Sequence, residues 1–173
     1  MRAGAALTLA TLLLLAGAPV RAFHDEFGDT YQLRLGDFTL VGRYRAGSCA
    51  LQGSFRSLRG AHTTFTVYWL PGRSLHLATH HPEVARVNGR QTMQFRFPDG
   101  TAMAFATTRN GNQLQTRIGF GAAAQRFYEA IERNPSMRIE LPAVGDAVNV
   151  SLEKREEAVA AMFHCRDDYL HRR

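Results

Sequence analysis

The chain has 173 residues, 45% of them hydrophobic, with 21 Lys and Arg against 15 Asp and Glu. The basic residues are nearly all arginine and fall singly along the chain with no recognition motif beside them, a distribution that does not describe a nucleic-acid-binding protein. No apolar run reaches the ~20 residues of a membrane-spanning helix, so no membrane span is expected.

The first residues, MRAGAALTLATLLLLAGAPVRAF, place Arg2 before an apolar run from Ala5 to Ala16 and end in Val20-Arg21-Ala22. A charged start, a short apolar stretch and small residues at the cleavage positions are the pattern of a signal peptide. Cleavage near Ala22 is expected, leaving residues 23–173 as a single globular domain in the periplasm or secreted. Without Arg2 and Arg21 the charge count is 19 basic less 15 acidic residues, or +4.

After the cleavage site FHDEFGDT is polar and reads as a loop. Tyr31, Leu33 and Leu35 alternate with Gln32 and Arg34, and Gly36-Asp37 turns the chain into Phe38–Tyr44, which makes a first hairpin. The stretch from Arg45 to His62 is rich in glycine and serine and predicts a loop around a short strand. TTFTVYWL then sets Phe65, Val67 and Trp69 on one face, SLHLAT does the same with Leu75 and Leu77, and QTMQFRF with Met93, Phe95 and Phe97. TAMAFATT follows, with Met103 and Phe105 opposite alanines, and Asn110-Gly111 is a hairpin signal leading into QLQTRIGF.

In FGAAAQRFYEAIERN the residues Phe120, Ala124, Phe127 and Ile131 recur at helical spacing, and Asn134-Pro135 ends the run. MRIEL and AVNVSL return to strand alternation. Ser151 is placed to cap a last helix, with Val159, Met162 and Phe163 as its apolar stripe and Ala158 and Ala161 beside it. The fold expected is α+β: mainly antiparallel β-sheet, as a meander or sandwich, with two amphipathic helices in the C-terminal half.

Cys49 and Cys165 are the two cysteines of the chain. An even count in an exported protein favours one disulfide between them. HLATHHPE, His76 to Glu83, is the strongest candidate for chemistry. On a helix His76 and His80 would share a face and could hold one zinc ion, with Glu83 or His81 as a third ligand. On a strand four residues span ~13 Å, too far for one ion. Leu75 and Leu77 follow the strand period and Pro82 stops a helix, so a strand is expected, with surface histidines at its end and no resident metal or cofactor. His81 and Glu83, joined by His62, would be the residual constellation.

Other candidates carry less. Ser48 in AGSC is not in a strand-to-helix elbow. The pairs Asp25, Glu26 and Asp167, Asp168 lie in end segments. GFGA, Gly119 to Ala122, lacks the glycines of a dinucleotide fingerprint and reads as a turn into a helix. The aromatic residues Phe65, Tyr68 and Trp69 could line an apolar groove, although such a stripe is more often core.

The closing segment LPAVGDAVNVSLEKREEAVAAMFHC and the early GDFTLVGRYRAGSC resemble small exported proteobacterial proteins of the invasion-associated locus B type. The chain departs from that pattern in having one cysteine pair and no early tryptophan. The resemblance implies a periplasmic, β-rich protein that supports an envelope or host-facing role, with no catalytic residues to carry over. The function expected is therefore that of an exported, non-enzymatic domain binding a protein or a small apolar ligand. The alternative is a metal-dependent or hydrolytic envelope enzyme using His76, His80 or His81.

Overall fold

A computed structural model of the chain describes residues 23–24, 30–43, 48–70 and 74–171. In chain order the strands are β1 (Phe23–His24), β2 (Thr30–Leu35), β3 (Phe38–Arg43), β4 (Ser48–Arg56), β5 (His62–Leu70), β6 (Ser74–His80), β7 (Gln91–Arg96), β8 (Ala102–Asn110) and β9 (Gln113–Gly119). Helix α1 (Ala122–Arg133), strands β10 (Ser136–Leu141) and β11 (Asp146–Ser151), and helix α2 (Arg155–His171) complete the α+β fold. All pairings are antiparallel, in the order β1-β2-β3-β4-β5-β6-β9-β8-β7-β10-β11.

The sheet is antiparallel as expected, but its strands do not follow one another in simple chain order throughout. A short 3-10 helix at Pro82–Arg86 carries the chain away from β6, and β7, β8 and β9 then return so that β9 pairs with β6. Strand β8 serves two neighbours: its residues 102–107 pair with β7, and Thr108, Arg109 and Asn110 pair with β9. At the far side Ser57, just past β4, bridges Val148 in β11, and Leu58 N–H donates to Ala147 O at 2.8 Å. The sheet thus curls back on itself and encloses its apolar face.

That face is filled by alternate residues of each strand, among them Phe65, Leu75, Leu77, Met93, Phe95, Leu114 and Ile139, all fully buried. Helix α1 adds Ala124, Phe127, Ala130 and Ile131 to it. The ring of Phe127 lies 5.1 Å from that of Phe95 and 6.3 Å from that of Phe105, both edge-on, so the helix is anchored by aromatic contacts as well as by area. Helix α2 covers β3 and β4 with Ala158, Met162 and Cys165 turned inward. The disulfide between Cys49 in β4 and Cys165 in α2 holds it there, with Cα atoms 6.2 Å apart.

Three local expectations are corrected. The glycine- and serine-rich stretch read as a loop around a short strand contains the nine-residue β4, whose Gly53 pairs with Phe38. A Cβ on Gly53 would stand 2.6 Å from the ring of Phe55, so glycine there makes room for an aromatic side chain. Phe120 precedes α1 instead of belonging to its buried stripe, and it is 41% exposed. Ser151 ends β11, and its hydroxyl accepts from Glu153 N–H at 3.3 Å while α2 begins only at Arg155.

The β8–β9 hairpin forms as Asn110-Gly111 signals, with its corner one residue later. Asn110 pairs with Gln113, so Gly111 and Asn112 make the two-residue loop, and Gly111 has φ +57°. Glycine at the first corner, followed by a residue with negative φ, is the sign pattern of a type II′ turn. Gly111→Ala should therefore cost about 1 kcal/mol, read as a shift in the urea midpoint with an unchanged slope.

Candidate functional site

The histidines of HLATHHPE are separated by the strand that contains them. His76 and His80 lie in β6 on the face opposite Leu75 and Leu77; His76 stands between Tyr68 and Arg117 on the adjacent strands, and His80 between Thr64 and Gln113. Burial of the His76 ring, aided by the nearby Arg117 charge, lowers its pKa and favours the neutral form. Its Nε2 is buried and has no hydrogen-bond partner among the described residues. His62, at the start of β5, is exposed. Among the described residues no group of three His, Cys, Asp or Glu is placed to hold a metal ion.

His81 is not the surface residue expected of a strand end. It is fully buried, and its Nε2 lies 3.1 Å from Oδ2 of Asp146, at the start of β11. Its Nδ1 accepts from Glu83 N–H at 3.2 Å, capping the 3-10 helix. An accepting Nδ1 carries no proton, so in the neutral ring the proton sits on Nε2 and is donated to Asp146. Both ring nitrogens are committed, which leaves no lone pair to act as a base on a substrate.

Asp146 is the residue that sequence reading missed. Burial alone would raise its pKa; hydrogen bonds from the Ser57 hydroxyl, Ala147 N–H, His81 and Arg59 N–H outweigh that effect and hold it below the usual 3.8. Arg59 also reaches Glu83 at 3.0 Å and Val144 O at 3.0 Å. Ser57, Arg59, His81, Glu83 and Asp146 thus tie the end of β4, the 3-10 helix and β11 into one polar knot. The serine and the histidine both donate to the aspartate, an order that does not make a Ser-His-Asp relay, in which the histidine must accept from the serine.

The remaining candidates are dispersed. Ser48 opens β4 opposite Arg43. Asp25, Glu26 and the side chain of Asp168 lie outside the described residues, while Asp167 is half-buried on α2. Gly121 caps α1, its carbonyl accepting from Gln125 N–H at 3.0 Å, so GFGA is a strand-to-helix turn. Phe65 and Trp69 are core, on the opposite face from Tyr68. Beneath α2, Phe65, Val67, Leu51 and Met162 border an apolar void of about 40 Å³. That is far below the roughly 300–1,000 Å³ of a small-molecule pocket.

The larger concave surface lies between the helices. A groove of about 440 Å³ runs along α1 past Gly121, Ala124, Gln125 and Tyr128 to Glu132. Phe120 stands at its start, and Phe163 of α2 forms the opposite wall with its ring 5.9 Å from Tyr128. Both phenylalanines were expected to serve the core; instead they are 41% and 37% exposed. Helical periodicity places them beside the buried stripe but cannot say that the neighbouring helix stops short of covering them.

Searches of protein-family models, curated proteins and solved structures found no match to the chain.

Proposed function

We propose that the chain is an exported, non-enzymatic domain of the bacterial envelope that binds a protein partner through the groove between α1 and α2. The observation that carries this reading is the pair of exposed phenylalanines on one concave surface. Single exposed apolar residues are ordinary, whereas two large rings flanking one groove mark a surface that gains by being covered. The signal-like start of the sequence and the disulfide support an oxidising compartment. The resemblance to exported proteins of the invasion-associated locus B type agrees with a binding role. The commitment of both nitrogens of His81 argues in the same direction.

The test is photo-crosslinking in the exporting bacterium, with Gln125→p-benzoylphenylalanine placing the reactive group in the groove. One partner identified by mass spectrometry, lost when Phe163→Ser is added, is the expected result. A crosslink unaffected by Phe163→Ser, or none, would overturn the assignment. The same preparation should show Phe23 as the mature N-terminus.

A further inference from the structure

Resting on that assignment of the groove, we propose that its occupant is a cationic amphipathic peptide segment. The apolar side chains of such a segment would meet Phe120, Tyr128 and Phe163, and its lysines or arginines would meet Glu129 and Glu132.

The charge of the groove carries the inference. The whole chain has a net charge of +6, yet the lining of the groove holds two carboxylates, Glu129 and Glu132, and no cation. Among the described residues neither carboxylate is in an ion pair; Glu129 accepts only from Gln125 Nε2, at 2.9 Å. Arg155, which opens α2 and reaches the last turn of α1, has its Nε committed to Glu132 O at 2.8 Å. Arg126 and Arg133 lie about 60° and 40° around α1 from Glu129, and their Nε atoms are committed to Ala122 O at 3.3 Å and Glu129 O at 3.2 Å. An apolar floor bordered by carboxylates selects against an acidic segment by repulsion and in favour of a basic one by steering and pairing.

Length fixes the size of the segment. Gly121 to Glu132 spans eleven steps, ~16 Å along the helix axis, enough to hold a helical segment of about three turns. Such a segment presents apolar residues at spacings of three and four to one side and its basic residues to the other, a common way for a helix to fill a groove.

The experiment uses the mature protein and two synthetic amphipathic peptides of about 12 residues, matched to the groove. One carries leucine and lysine, and the other carries the same leucine pattern with glutamate. Affinities are read by fluorescence anisotropy. Two exposed charge pairs correspond to roughly a 2- to 30-fold preference, so the lysine peptide should bind ~10-fold tighter than the glutamate peptide. That preference should shrink toward unity in the double variant Glu129→Gln, Glu132→Gln and when salt rises from about 0.02 to 0.3 M. Phe163→Ser should weaken the lysine peptide in every condition.

Equal affinities, a preference for glutamate, binding of neither peptide, or a lysine preference that survives the double variant would each overturn the proposal. If a Phe163-dependent crosslink is found while the two peptides bind alike, the groove remains a docking site and only the cationic occupant is wrong. If no such crosslink exists, the docking assignment itself fails.

Discussion

Asp146→Ala should lose about 3–5 kcal/mol of folding stability, the largest effect expected from any single polar substitution in this protein. The carboxylate is buried and accepts from His81 Nε2, the Ser57 hydroxyl and the N–H groups of Arg59 and Ala147. Alanine would leave those donors without an acceptor in a place water does not reach. Asp146→Asn should cost less, because its amide oxygen can still accept from the backbone, but its NH2 group would face the donor of His81. Urea unfolding at pH 7 measures both; a loss below about 1 kcal/mol for the alanine variant would show that the knot is held from elsewhere.

The same substitution has a signature in acid. Because the pKa of Asp146 in the fold lies below its usual value of 3.8, the unfolded chain takes up the proton first. The stabilising contribution is complete above that usual value and is lost as pH falls from it through the folded value. The gap between wild type and Asp146→Ala should therefore be constant near neutrality and narrow at low pH. A gap that widens in acid would mean the carboxylate is protonated in the native state.

Cys165→Ser should cost about 2–5 kcal/mol under oxidising conditions. The bond joins residues 116 apart in sequence, and loops of that order restrict the unfolded chain by an estimated ~4.7 kcal/mol. It also tethers α2, whose inward residues Ala158, Met162 and Cys165 close the apolar surface over β3 and β4. The control is wild-type protein unfolded and refolded in reductant, which should fall to the stability of the serine variant. A serine variant as stable as the oxidised wild type would remove the bridge from the account of what holds α2.

Strands such as β5, β6 and β9 were legible because large apolar residues recur at every second position on one face, interrupted there by the buried Thr79 and Thr116. Strand β4 was legible only as a short strand, because Gly53 occupies an inward position where an apolar side chain would complete the pattern, and the ring of Phe55 fills the space instead. Which strands become neighbours was hidden for a different reason. The pairing of β6 with β9 joins segments separated by the whole β7–β8 hairpin, and residue types do not encode that contact locally. The histidine site failed in the same way: His76, His80 and His81 look alike as text, and what distinguishes His81 is an aspartate 65 residues further on. Phe120 and Phe163 looked like core because a single helix shows its apolar side without showing how far the rest of the molecule extends over it.

The single disulfide has a consequence for assembly. With two cysteines in the chain, only one intramolecular pairing exists, so oxidation cannot trap a scrambled isomer and no shuffling step is required. Cys49 has no correct partner until β5 through β11 and α2 have all emerged behind it. The one wrong product open to it is a bridge to another molecule, so the risk grows with local concentration and disappears once α2 has docked and sealed both sulfurs from solvent.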